Sequence, residues 1–271
     1  MKTHSALLDA CLALTLAGGL AAAPGLVRAE DDTIATDRPD FVESSDVVGK
    51  GRFQLETSVA FERDRQGGVK TRLASTPTLL RIGIAEAWEL RFETDGRLRQ
   101  KTEAAGLTTR ENGWSDLSVG VKWHQRDGDE EAGTPGLGWL LHMDVDSGSG
   151  AFRGHGLRPS LRFVAEWEFA GGWSFGVMPG IYRDRDEDGR HFVGAILAGV
   201  LGRSFTDRLR GFVEVSGQQL AASRHGGSVV TFDTGLAYLL GRDLQVDMAL
   251  SRGINRNAPD LAWTVGVSAR F

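Results

Sequence analysis

From Arg52 onward the chain alternates. Phe53, Leu55, Thr57, Val59 and Phe61 occupy one parity, and Arg52, Gln54, Glu56, Ser58 and Glu62 the other. A period of two is the mark of a strand with one apolar and one polar face. The pattern recurs at Trp88, Leu90, Phe92 and Leu98 against Glu89, Arg91, Glu93, Asp95 and Arg97. It returns at Leu117–Trp123, Leu137–Val145, Leu157–Phe169, Val230–Tyr238, Leu244–Leu250 and Leu261–Ala269. Three stretches are less regular. Residues 72–84 change parity near Pro77, which predicts a bulge or an irregular strand; residues 191–205 are apolar on both parities; residues 208–220 leave Phe212 on the polar side. Counted together, these segments predict an all-β chain of about twelve strands.

Alternation suits a soluble sandwich with its apolar face inward as well as a membrane barrel with that face outward. Three features favour the barrel. Connections after odd-numbered strands are long and polar: Asp64–Lys70, Leu98–Gly113, Ser147–Gly156, Asp184–Arg190, Ala222–Gly227 and Arg252–Asp260. Those after even-numbered strands are tight, at Ala85–Ala87, Ala170–Gly172, Thr206–Asp207 and Gly241–Arg242, with Arg126–Pro135 as the exception. Short turns at one end and long loops at the other are the habit of outer-membrane barrels. Many segments also alternate for ten or more residues, the length a tilted spanning strand needs. Finally, the chain stops at Phe271 on the apolar parity, similar to the terminal aromatic that barrel-assembly machinery reads. The expected architecture is a transmembrane antiparallel up-and-down β-barrel over residues 51–271.

The residues before it read differently. Lys2 and His4 precede an apolar run from Cys11 to Ala23, and Val27-Arg28-Ala29 supplies a small-residue cleavage site, so residues 1–29 read as a secretory signal peptide cut after Ala29. Removal leaves 29 basic and 35 acidic side chains, a net charge of −6, and takes away Cys11, the only cysteine. That excludes a disulfide, a thiolate metal site and a cysteine nucleophile. The acidic balance offers nothing to nucleic acid.

Thr36-Asp37-Arg38-Pro39-Asp40-Phe41 and Gly49–Glu56 resemble the start of a family of outer-membrane transporters labelled after the meta-pathway of phenol degradation. Thr76–Gly83, Glu89-Leu90-Arg91, Phe232–Tyr238 and Arg252–Asn255 with Ala258-Pro259-Asp260 are further similar blocks. The resemblance implies a barrel that passes small, aromatic or hydrophobic compounds across the outer membrane.

Residues 30–50 hold seven acids and two basic side chains. They are either a lumenal plug, with Asp37, Arg38 and Asp40 paired to strand charges, or a periplasmic tail. Inward-facing candidates to line the lumen are Arg52, Glu56, Arg91, Glu93, His142, Asp144, Arg158, Arg162, Glu166, Glu214, Asp233 and Asp247. Both signs are mixed, so they either line a narrow path or neutralise one another across strands. His142 and Asp144 share a face, yet no serine is placed beside them, and scattered histidines give no metal-ligand spacing. The expectation is a passive channel without catalytic residues, metal or cofactor, in contact with outer-membrane lipid and small-molecule solutes. A structural barrel with a sealed lumen and a lipid-modifying enzyme are the rival readings.

Overall fold

The computed structural model describes residues 33–186, 188–220 and 227–271, which form one compact unit. The signal peptide expected at 1–29 and most of the loop expected at Ala222–Gly227 lie outside the described residues. The strands are β1 (Phe53–Gln66), β2 (Val69–Ser75), β3 (Thr78–Ala85), β4 (Trp88–Thr94), β5 (Arg97–Ala104), β6 (Leu107–Trp114), β7 (Leu117–Arg126) and β8 (Gly136–Val145). They continue with β9 (Arg158–Phe169), β10 (Trp173–Arg185), β11 (His191–Ser204), β12 (Leu209–Leu220), β13 (Val229–Gly241), β14 (Leu244–Gly253) and β15 (Leu261–Arg270). One short 3-10 turn, Gly150–Phe152, interrupts the loop after β8.

These fifteen pieces make twelve spanning strands, because β2/β3, β4/β5 and β6/β7 are each one strand interrupted for two residues. The first break falls at Thr76-Pro77, where proline has no N–H for the ladder. There Pro77 O accepts from Ser58 N, and Thr76 N donates to Asp95 O, so the interruption is bridged on both sides. All pairings are antiparallel between neighbours, and β15 closes on β1 with Gln54 opposite Arg270 and Arg63 opposite Leu261. The result is a closed twelve-stranded antiparallel barrel, which leaves no spanning edge unpaired.

The burial pattern fixes which face is which. Along β14, Gln245 and Asp247 are buried while Met248 and Leu250 are exposed. Along β1, Gln54 and Glu56 are wholly buried while Val59 and Phe61 are about 40% exposed. Polar side chains therefore point inward and apolar ones outward, the reverse of a soluble core. Stacked aromatics mark both rims: Phe53 on Phe271 and Trp88 on Trp123 at the short-turn end, Phe61 on Trp263 at the other. Eight residues separate Phe53 from Phe61, about 27 Å of strand, or close to 20 Å after a tilt near 40°. That matches an outer-membrane apolar band.

One expectation needs correction. Leu98–Gly113 is not a loop: β5 and β6 continue the ladder past the band to a tight turn at Ala105-Gly106, both at positive φ. Likewise β1 and β2 extend to a turn at Gly67-Gly68. Polar residues on both faces are compatible with a strand here because this hairpin end stands beyond the hydrocarbon. The outer edge of β6 is met by the loop after β8, through Trp114 N to Ser149 Oγ and Ser149 N to Trp114 O.

Candidate functional site

Residues 33–52 have no regular secondary structure, yet Ile34, Asp37, Val42, Glu43, Ser45 and Val48 are buried. Irregular backbone needs partners for every N–H and C=O it hides. Inward-facing side chains supply them from around the ring. Glu56 on β1 accepts from Asp37 N at 3.1 and 3.2 Å. Glu214 on β12 accepts from Phe41 N and Val42 N, both at 2.8 Å. Glu166 on β9 accepts from Ser45 N, and Glu89 on β4 from Val48 N at 3.0 Å. In the other direction, Arg81 donates to Ala35 O and Asp46 O, Lys122 to Ser44 O, and Gln245 to Thr36 Oγ1.

Charges of the segment dock on charges of the wall. Asp37 receives Arg91 Nη1 at 2.6 Å and Lys122 Nζ at 2.9 Å, with Arg81 Nη1 at 3.5 Å. Glu43 takes Arg91 Nη2 at 2.6 Å and Arg162 Nη1. Arg38 reaches Asp247 at 3.1 Å and Thr264 Oγ1 at 3.0 Å, and Arg210 holds Asp40 at 2.6 Å. Glu89 completes the centre, with Arg81 Nε at 2.9 Å and Arg91 Nη1 at 2.8 Å. Arg81, Arg91, Lys122 and Arg162 face Asp37, Glu43, Glu56 and Glu89, so the centre balances four cations against four anions. Isolated charges at this depth would be costly; paired and hydrogen-bonded ones are tolerated. Burial pushes the Asp37 carboxyl up, but the neighbouring Arg81, Lys122 and Arg91 outweigh it and hold it well below the usual carboxylate range. Glu43 follows the same logic: burial raises it, Arg91 and Arg162 lower it more, and it falls to about 2.

An apolar patch supports the segment on one side. Val42 packs among Leu140, Val164, Met178, Ala198, Val200 and Phe212, all on the inward parity of β8 to β12. Glycines give the chain room: a Cβ on Gly83 would lie 1.7 Å from Gly49 O, and one on Gly266 would lie 2.7 Å from Arg38 Nε.

The residues expected to line the lumen divide into two groups. Glu56, Arg91, Arg162, Glu166, Glu214 and Asp247 meet the N-terminal segment. The others do not dock it in this way. Asp144 and Arg158 lie 3.7 Å apart, and Arg158 also holds Asp116 at 2.6 Å. His142 Nε2 accepts from Arg91 Nε at 3.1 Å, its Nδ1 lies 3.6 Å from Glu93, and among the described residues no hydroxyl is bonded to it. Asp233 accepts from Thr231 and Ser216. Arg52 precedes β1, half-buried, its carbonyl accepting from Gly83 N. Arg81, Glu89, Lys122, Glu43 and Arg210 were not among the expected site residues, although all build the site. Among the described residues one grouping offers metal-ligand atoms: Asp46, His124 and Asp127 at the short-turn end. There His124 Nδ1 lies 3.0 Å from Ser45 O and Nε2 3.0 Å from Asp127.

Two cavities share no lining residue, and the segment lines the first of them. One of about 640 Å³ opens at the short-turn end beside Asp40, Val42, Glu166 and Arg210. The other, about 520 Å³, opens among the long loops beside Glu93, Asp144, Arg158 and Arg162.

The family model described as "Putative MetA-pathway of phenol degradation" matches residues 36–271. The chain belongs to that family. The blocks that carry the likeness to the phenol-degradation family hold Asp37, Arg38, Asp40, Gln54, Glu56, Arg81, Glu89 and Arg91, the residues that anchor the segment. No curated protein matches. Among solved structures, an outer membrane channel from Pseudomonas putida F1 is 12% identical, with TM-score 0.60, 91% of this chain and 100% of that one covered. The NanC porin is 12% identical, with TM-score 0.50, 79% of this chain and 98% of that one covered. At these identities the likeness establishes the shared barrel, and with it an outer-membrane fold for this member of the phenol-degradation family.

Proposed function

We propose that this protein is an outer-membrane channel for passive movement of small molecules, with residues 33–51 acting as a plug that narrows the lumen. The observation that carries the reading is the pair of cavities, one open at each end with no lining residue in common, in a barrel whose interior holds a segment fixed largely through side chains. A purely structural barrel gains nothing from hosting irregular backbone so many of whose bonds must be supplied by buried side chains. Residues 1–29 serve as a cleaved signal peptide, Phe271 as the handle for barrel assembly, and the outward band contacts lipid. The inward groups bind and steer solutes without covalent chemistry: the mixed-sign lining of the long-loop cavity suits small polar or amphiphilic compounds. The family description makes phenols and aromatic acids the first solutes to try.

Proteoliposome swelling tests this directly. Vesicles holding the refolded protein should swell in isosmotic benzoate or phenol at rates several-fold above empty vesicles, and planar bilayers should show discrete conductance steps. Swelling equal to empty vesicles, with no steps, would establish a sealed barrel instead.

A further inference from the structure

Beyond the band, the outward face of the hairpin end is strongly basic. The ladder places Arg63 opposite Arg72, Arg72 opposite Lys101, and Lys101 opposite Arg110, a row of four cations across β1, β2, β5 and β6. Arg65, Lys70 and Arg99 lie on the same face one row away, and Glu103 is the one acid among them, paired to Lys101. Neighbouring strands are about 4.8 Å apart, so the row extends about 14 Å. Like charges set directly opposite one another destabilise a sheet. Arg63, Arg72 and Arg110 are exposed, and Glu103, which pairs with Lys101 and also attracts Arg72, is the one acid on this face to offset them. One carboxylate against this many cations leaves most of the repulsion in place. What sets this face apart is the close ranking of its cations across four adjacent strands, an arrangement that an anion from outside would complete.

Its position says which anion. Immediately below the row, Phe61 stacks on Trp263 at 4.5 Å, at the outer rim of the apolar band. A groove of about 340 Å³ joins the two zones, with Phe61, Ala74, Arg99 and Trp263 in the lower row, Arg63, Arg72, Lys101 and Leu261 in the row above, and Glu62 and Leu73 also lining it. We infer that this groove binds a phosphorylated lipid of the outer leaflet, with an acyl chain on the Phe61–Trp263 surface and headgroup phosphates on the Arg63–Arg72–Lys101–Arg110 row. Charge-assisted bonds from guanidinium to phosphate are the strong, geometrically matched kind, and a row this long can meet two phosphates of one headgroup. A free phosphate ion would use the row but not the apolar half of the groove. The site depends on the outer-membrane placement and not on conduction.

The test uses refolded full-length barrel in neutral detergent and native mass spectrometry with three probes: diphosphorylated lipid A, phosphatidylcholine, and inorganic phosphate. The expected result is one lipid A retained per barrel, no retention of phosphatidylcholine, and no displacement of lipid A by millimolar phosphate. The double variant R72Q/K101Q should lose at least tenfold in lipid A affinity while keeping the heat-resistant migration of a folded barrel. A matched variant at basic residues outside the groove, R183Q/R190Q, should bind as the parent does. Equal binding by parent and R72Q/K101Q, equal loss in R183Q/R190Q, or displacement by phosphate alone overturns the site. Because swelling is measured separately, a channel that conducts but does not bind lipid A, or binds without conducting, tells the two proposals apart.

Discussion

Replacing Asp37 with Asn is the sharpest single perturbation of the docked segment. The change keeps the shape and one acceptor oxygen but removes the charge that Arg91, Lys122 and Arg81 converge on at 2.6, 2.9 and 3.5 Å. The buried centre then carries one excess cation. Removing one partner of a buried, hydrogen-bonded ion pair costs about 3–5 kcal/mol. The strand ladder does not use Asp37, so the cost falls on seating of the segment and leaves the barrel folded. In the ratio of seated to unseated forms that is roughly a hundredfold to several-thousandfold. Ser45 reports the ratio, because it is 4% exposed and binds through its backbone to Glu166 and His124. A Ser45→Cys chain refolded from Glu30 carries no other cysteine, and its thiol-labelling rate in vesicles measures how often the segment leaves. Adding Asp37→Asn should raise that rate at least a hundredfold. Asp233→Asn, whose carboxylate bonds Thr231 and Ser216 and no residue of the segment among those described, should not change it. Labelling within twofold of the parent in the Asp37→Asn chain would refute the reasoning.

Three further outcomes follow from the same geometry. Asp37 and Glu43 titrate below their ordinary values, so each stabilises seating fully above its unfolded pKa and loses that contribution as pH falls through the folded one. For Glu43 the difference in labelling rate between parent and Glu43→Gln should hold constant above about pH 4.5 and vanish toward about pH 2; a difference that disappears between pH 7 and 5 would contradict this. Gly83→Val places a side chain where Gly49 O lies and should displace the end of the segment, raising conductance while the barrel stays folded. Val265, 46% exposed and mid-strand opposite Val59, should cost about 2–4 kcal/mol when changed to Arg in lipid vesicles, read from urea unfolding, whereas Val265→Leu should be near neutral.

The barrel was legible in the sequence because a register error is expensive: slipping one residue would turn Glu89, Arg91 and Glu93 toward lipid. The hairpin extension at 97–114 was not, because beyond the bilayer neither face need be apolar and the alternation loses its meaning there. The stretches that broke the pattern turn out to be informative. Phe212 on the polar parity, and the doubly apolar 191–205 with Ala198 and Val200, form the inward patch that receives Val42. In a barrel with a polar lumen, an apolar residue of the wrong parity marks where another segment seats. Arg81 escaped notice because the break at Pro77 resets the parity just before it. Glu89 and Lys122 stood on the polar parity, but alternation alone does not tell which inward charge meets the segment and which meets its cross-strand neighbour.

The most direct test of the account is to tether the segment and watch the current. A Cβ on Gly138 would lie 3.0 Å from Ser45 Cα, so the Ser45→Cys/Gly138→Cys pair should form a disulfide that fixes residues 33–51 to β8. Oxidised protein in a planar bilayer should show only small, steady conductance, and reductant should restore the larger openings of the parent within the same recording. Identical conductance before and after reduction, with the disulfide shown intact at the start, would mean that the N-terminal segment does not control the path.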